Sequence, residues 1–330
     1  MTRCARGASV AARAERAAMV VENRRRLLLR HVDVAAQKGL EIGPYLNPTV
    51  GKHEGDVRYL DYYSTDELRA REHERRHRRA VIADVDYVVK SDDYWRHVPD
   101  TFDYVIANHV IEHVDNPVQW VVDLGRLLNE RGVLFLTIPD KKYNFDRFRN
   151  ETTLSHLLAD YFRGHGDPCE HNVDIELNYD TTYVDQPLDV DQKLDVDTLR
   201  RVAGRPADPG GHMHVFQSET FVQRILRPLQ KLGIWQYQLL ETGEALDNHG
   251  EFYVVLRRGV EQVEVTREGL WGPAAAGTAG EVRGDLEARL NEIMRLRAEL
   301  STAKNELAAL RRSLSWRLTG PVRRILDAFQ

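Results

Sequence analysis

Cysteine is nearly missing from this chain. Its two cysteines, Cys4 and Cys169, lie far apart and match no metal-ligand spacing. That excludes a disulfide framework and points to free thiols in a reducing compartment. Long apolar runs are missing too. Nothing approaches the ~18 residues that would span a bilayer. The N-terminus carries arginines but no continuous apolar stretch, so a secretory signal is not expected. Strong charge of one sign is lacking as well. The formal net charge of -5 over 330 residues gives no whole-chain reason to expect nucleic acid as a partner. No internal repeat is visible. The length suits one large α/β domain with appendages, or two domains.

The most informative stretch runs from Phe102 to Asp140. Phe102 to Ala107 is a short apolar run suited to a buried parallel strand. It stops at Asn108 and His109. Asp115-Asn116-Pro117 starts a helix, with a cap and then proline in the first turn. Val118, Val121, Val122, Leu124, Leu127 and Leu128 give that helix an apolar face. Arg131-Gly132 is read as its stop. Val133 to Ile138 is a second buried strand, ending at Pro139-Asp140. Ligands of open α/β sheets sit outside the carboxyl ends of the strands. Asn108, His109, Glu112, His113 and Asp140 therefore converge on one candidate site.

The text FDYVIANHVIEHVDNP, a helix, RG and VLFLTIPD resembles strands four and five of a class I S-adenosylmethionine-dependent methyltransferase. The likeness is to the group whose fourth strand ends in H-V-x-E-H and whose fifth ends in P-D. It covers roughly residues 38 to 258. It implies a Rossmann-like α/β fold, a seven-stranded sheet with an antiparallel last strand, and S-adenosylmethionine as cofactor.

Glu41-Ile42-Gly43 resembles the start of that family's glycine-rich motif, where the backbone passes close to the cofactor. The further glycines of the pattern are missing. Pro44-Tyr45-Leu46-Asn47-Pro48 stands in their place, with Asn47 as the residue expected to take a positive φ. Val57 to Asp61 reads as a second strand. Asp61 follows Gly43 by 18 residues, close to the ~20 expected between a glycine turn and a ribose-binding acid. Tyr87 to Val89 suits a third strand, and Ser91, Asp92 or Asp93 falls where this fold places an adenine contact. The cofactor-binding set is Glu41, Gly43, Pro44, Asp61, Asp92 and Asn108.

Residues 1–37 read as a helical segment packing on the first strand. Ser64-Thr65-Asp66-Glu67 resembles a capping box. The helix after it, to Arg79, carries the pairs Glu67–Arg71, Glu72–Arg76 and Glu74–Arg78 and reads as a solvated face rather than a phosphate site. Residues 141–216 form a substrate-side insertion. Its helical part starts near Thr152, and its acidic run from Asp167 to Asp197 reads as a lid or irregular loop without calcium-loop spacing. His212 and His214 precede a helix capped by Ser218 and resemble the family's H-x-H-V-F segment, lining the substrate mouth. Gly233 to Leu240 and Glu251 to Arg257 read as an antiparallel hairpin, which argues against an NAD-dependent dehydrogenase.

Residues 259–283 are a linker. Residues 284–315 carry a heptad seam of Leu286, Ile293, Leu300, Leu307 and Leu314 with Leu296, Ala303 and Leu310, interrupted by Arg289. That predicts a coiled coil, and so a homo-oligomer or a partner helix. Residues 316–330 form a basic amphipathic tail suited to an anionic membrane surface. The tail resembles the S-W-R-x-T-x-P-x-R ending of enzymes in bacterial surface-polysaccharide assembly.

The resemblance implies methyl transfer, with a glycan or small-molecule acceptor in the cytoplasm or at the inner face of the membrane. A sugar hydroxyl needs its proton removed. His113 and His109 are the first candidates for that base, then His212 and His214. Glu112, His113 and Asp140 form a cation set that is weighed and set aside, so no metal is expected. Two other readings stay open: a natural-product methyltransferase, and a non-catalytic scaffold that has lost cofactor binding through the altered loop.

Overall fold

A computed structural model describes residues 18–74, 82–178, 195–206, 211–244 and 250–259. The linker from residue 260, the heptad seam and the basic tail lie outside the described residues. Seven strands form one sheet: β1 Gly39–Ile42, β2 Val57–Asp61, β3 Tyr87–Val88, β4 Phe102–Asn108, β5 Leu128–Pro139, β6 Tyr237–Glu244 and β7 Glu251–Arg258. Their order is β3-β2-β1-β4-β5-β7-β6. The first five run parallel. β7 lies antiparallel between β5 and β6. The expected antiparallel strand is therefore present, wedged inside the hairpin edge. A dinucleotide-binding sheet has the order 3-2-1-4-5-6 without this wedge.

The central strands β1, β4 and β5 are largely buried on both faces, as apolar runs in parallel strands require. On one face, α1 (residues 18–28) packs Leu27 and Leu28 against Val57, Tyr59, Ile106, Phe135 and Val255. These partners lie on β2, β4, β5 and β7, whereas the sequence reading placed the helix on the first strand. The other face is covered by α3 (Pro117–Leu127) through Val118, Trp120, Val121 and Leu124. Asn116 caps α3, its side chain accepting from the Gln119 N–H, and Pro117 occupies the first turn. α2 (Thr65–Glu74) opens with the expected capping box: Ser64 N–H donates to Glu67 and Glu67 N–H to Ser64 Oγ.

Several boundaries differ from the sequence reading. Helix α3 ends at Leu127, and Leu128 already begins β5. Arg131 (φ 61) and Gly132 do not stop a helix. They lie where the β4–β5 register shifts, between the pairings of Phe102 and Tyr104. A buried helix end and a buried strand share one apolar pattern, so periodicity cannot separate them. The hairpin starts at Tyr237, because Gly233 (φ 69) instead closes the preceding helical turn through its N–H to Gln230. Glu67 pairs with Lys90 at 3.1 Å, while Arg71 stacks on Tyr63. Glu72 turns inward to the Tyr45 hydroxyl. Arg76 and Arg78 lie outside the described residues.

The described residues of the insertion are largely helical. α4 (Leu154–Arg163) is capped by Thr153, and α5 (Pro168–Asn178) and α6 (Val196–Ala203) occupy most of the described acidic run. Two of its described acids are engaged: Asp195 caps α6, and Asp174 takes the Arg149 guanidinium at 2.6 Å. The chain then forms α7 (Ser218–Phe221), a π-helical turn at Val222–Leu226, and α8 (Arg227–Lys231). No helix among the described residues is long and apolar enough to cross a membrane.

Candidate active site

The site is built at the carboxyl ends of β1, β2 and β4, where the strand order reverses. Gly43 ends β1 with φ 64. A Cβ there would meet nothing nearer than Val110 Cγ2 at 3.8 Å. Conformation, not crowding, therefore demands glycine, and the space above it is open. Pro44 is buried behind it. The second positive φ in the loop falls on Tyr45 (φ 48), not on Asn47 as expected. That backbone costs a non-glycine residue about 1–2 kcal/mol. It is held by the Tyr45 hydroxyl on Glu72 and by Ala83 N–H on the Tyr45 carbonyl.

Glu41 is buried and faces the loop from below. Its oxygens accept from Thr49 N–H at 2.7 and 2.9 Å, Val50 N–H at 3.2 Å and Asn108 Nδ2 at 3.3 Å. Burial raises its carboxyl to about 7, against the pull of the Thr49 N–H. Asn108 also donates to Thr49 Oγ1 at 2.8 Å and accepts from Thr137 Oγ1 at 3.0 Å. Glu41 and Asn108 are thus committed to shaping the loop. Asp61 stands at the end of β2, nearly buried, with Oδ1 accepting from Tyr63 N–H at 3.0 Å. Burial raises its pKa, partly offset by the Tyr63 and Tyr62 N–H groups. Asp92, in the loop after β3, accepts from Asp115 N–H at 3.3 Å.

Beyond β4 the chain makes a left-handed turn at His109 (φ 53). That swings its ring onto Glu251: Nε2 lies 2.6 Å from Oε2. Glu251 also takes Arg24 of α1. Burial would raise the Glu251 carboxyl, but His109 and Arg24 outweigh it and hold it down to about 2. His109 is thus tied to Glu251 and, through it, to Arg24, with Nδ1 turned toward Glu112.

Glu112 is fully buried, and neither carboxylate oxygen has a hydrogen-bond partner. Three imidazoles surround its Oε1: His109 Nδ1 at 3.8 Å, His113 Nε2 at 3.7 Å and His212 Nε2 at 3.9 Å. The other ring nitrogens are held. His113 Nδ1 lies 2.9 Å from the Gly211 carbonyl and His212 Nδ1 2.6 Å from Asp146 Oδ2. The Gly211 carbonyl assigns the His113 proton to Nδ1 and leaves its Nε2 lone pair facing Glu112. Burial raises Glu112 to about 7, with His212 opposing. Burial, then His212, lowers His113 to about 4, so it is neutral near pH 7 with a free lone pair.

Asp140 does not join this group. One oxygen accepts from Lys142 N–H and the other from Ser218 N–H, both at 3.0 Å. It therefore does the capping expected of Ser218, and the cation set of Glu112, His113 and Asp140 does not assemble. Glu112, His113 and His212 do, with ligand atoms within 4.8 Å of one another. His214 does not line the substrate mouth. It is fully buried in a second group with His156, Asp160 and His171. Sequence reasoning missed Glu251, Asp146 and Arg149. Arg149 ties Asp146, Asp174 and the His212 carbonyl together. A cavity of about 700 Å³ lined by Arg131, Arg227, Arg257 and Arg258 lies away from these groups, at the amino end of β5.

A family model described as a methyltransferase domain matches residues 13–227. No curated protein matches the sequence. Similar solved structures include an S-adenosylmethionine dependent methyltransferase from Mesorhizobium loti: 12% identity over 69% of this chain and 93% of that one, TM-score 0.37. A second from Listeria monocytogenes shares 11% identity over 72% and 99%, TM-score 0.38. The N-methyltransferase NodS from Bradyrhizobium japonicum WM9, in complex with S-adenosyl-L-homocysteine, shares 12% identity over 72% and 86%, TM-score 0.35. These likenesses are too distant to carry an argument, and the assignment rests on the family model.

Proposed function

Since the chain belongs to the methyltransferase-domain family, we propose that it moves the methyl group of S-adenosylmethionine onto a sugar hydroxyl. The acceptor is a cell-surface glycan or its lipid-linked precursor. The bound cofactor supplies an electrophilic methyl carbon on a sulfonium. The observation that carries the reading is the buried, unpartnered Glu112 among imidazoles beside the open loop at Gly43.

Asp61, at the end of β2, accepts hydrogen bonds from the ribose hydroxyls. Gly43 lets the backbone approach, with Glu41 and Asn108 holding the loop to that shape. Asp92 lies toward the base. His113 Nε2 takes the proton of the acceptor hydroxyl, and Glu112 stabilises the imidazolium that forms. His212, held by Asp146, fixes the geometry of this pair, and His109 supports it from the Glu251 side. Positioning supplies much of the remaining acceleration. The heptad seam serves self-association, and the basic tail brings the enzyme to a lipid-borne acceptor.

The test is transfer of label from methyl-labelled S-adenosylmethionine to a panel of nucleotide-activated sugars and lipid-linked glycan precursors. Label in a stable ether on a sugar oxygen supports the proposal. Label found only on nitrogen or carbon overturns it.

A further inference from the structure

The insertion holds a group of side chains that methyl transfer does not use. His156 and Asp160 lie one turn apart on α4, His171 lies on α5, and His214 lies in the segment before α7. Each offers one ligand atom, and the four atoms lie within 4.8 Å of one another. Asp160 and His214 are fully buried, and His171 nearly so. His156 Nε2, Asp160 Oδ2, His171 Nε2 and both His214 nitrogens have no hydrogen-bond partner. His156 Nε2 comes within 3.1 Å of Asp160 Oδ2, but off the line a hydrogen bond needs.

Buried polar atoms are almost always paired. Here several that are unpaired face one another: ring nitrogens of three imidazoles and a carboxylate oxygen. A cation between them satisfies all at once. We infer that His156, Asp160, His171 and His214 bind one divalent cation of the zinc type, tying α4 and α5 to the segment that carries His212.

The donor set fits. Three imidazoles and one carboxylate suit zinc, while magnesium and calcium prefer all-oxygen shells. Four ligands without an open position make a structural site. A tetrahedron with bonds of about 2.0–2.1 Å has edges of about 3.4 Å, so modest contraction closes the group. The outer contacts of a metal site are also present. His156 Nδ1 lies 3.5 Å from Glu170 Oε2, and Asp160 Oδ1 accepts from Arg163 at 2.8 Å. A cavity of about 230 Å³ bordered by His156, Glu170 and His171 provides an entry path.

The site is separate from the Glu112 group but joined to it. His214 N–H donates to the Glu112 carbonyl at 3.0 Å. His212 stands two residues before His214. The metal would therefore hold the wall that presents His212, and it takes no part in the reaction.

The test uses the purified full chain. It is incubated with zinc, desalted, and its metal content measured by mass spectrometry. Cobalt(II) is then loaded into chelator-treated protein and its visible spectrum recorded. The proposal expects one zinc per chain and the intense absorption of tetrahedral cobalt(II). His171→Ala and Asp160→Asn should lose both signals, and His113→Ala, in the neighbouring group, should keep them. Zinc should raise the Tm of the wild type and leave that of Asp160→Asn unmoved. Metal at trace level in the wild type, or metal lost in His113→Ala but kept in His171→Ala, overturns the proposal. Should His171→Ala not fold, the wild-type stoichiometry and cobalt spectrum still decide. None of these readouts depends on methyl transfer.

Discussion

Replacing Glu251 by glutamine tests the buried ion-pair chain that joins α1 to the site. The Glu251 side chain is only 2% exposed and holds both Arg24 and His109. Its carboxyl is lowered from 4.5 to about 2. A shift of that size corresponds to about 3 kcal/mol of stability at neutral pH. This agrees with the ~3–5 kcal/mol lost when one partner of a buried pair is removed. The folded-state value is the depressed one. Its contribution is therefore complete above pH 4.5 and fades as pH falls toward 2. Urea unfolding followed by circular dichroism should place Glu251→Gln about 3 kcal/mol below wild type at pH 7. The gap should narrow by about 1 kcal/mol at pH 4 and about 2 kcal/mol at pH 3. The comparison cancels acids that titrate alike in both proteins. A gap below about 1 kcal/mol at pH 7, or one that stays constant with pH, would refute the reasoning.

Other consequences follow from the same contacts. Asp140→Ala strands the N–H groups of Lys142 and Ser218. At about 0.5–2 kcal/mol for each lost cap, it should lose roughly 1–4 kcal/mol in urea, and a loss under 0.5 would contradict the capping role. His113→Ala should cut turnover by about 10²–10⁴ while leaving affinity for S-adenosylhomocysteine within about twofold; equal loss of both would make it a structural residue. Deleting residues 284–330 should reduce the number of chains per particle in light scattering. An unchanged number would remove the coiled-coil assignment.

Local chemistry was legible in the sequence, and distant pairing was not. Asn116-Pro117 and Ser64 with Glu67 act within one helical turn, so their capping could be read directly. The apolar runs of β4 and β5 marked the sheet, and Glu41-Ile42-Gly43 marked its switch point. Tyr45 was missed because what holds its positive φ comes from Glu72 and Ala83, remote in sequence. Asp140 was misread because one of its two donors lies 78 residues away. The sequence ranked His113 only slightly ahead of His109. Only Glu251, far along the chain, separates them by claiming the His109 ring. The helices in the described part of the acidic run were not read because their contacts, such as Asp174 with Arg149, are distant in sequence. The four-residue spacing of His156 and Asp160 was a visible signal of the second histidine group.

The most direct test of methyl-donor binding is calorimetric titration with S-adenosylhomocysteine, using wild type and Asp61→Ala. The account predicts micromolar binding by the wild type, lost in the mutant because the carboxylate at the end of β2 is gone. No binding by the wild type would contradict it, and would mean that the Pro44–Pro48 loop no longer accepts the cofactor.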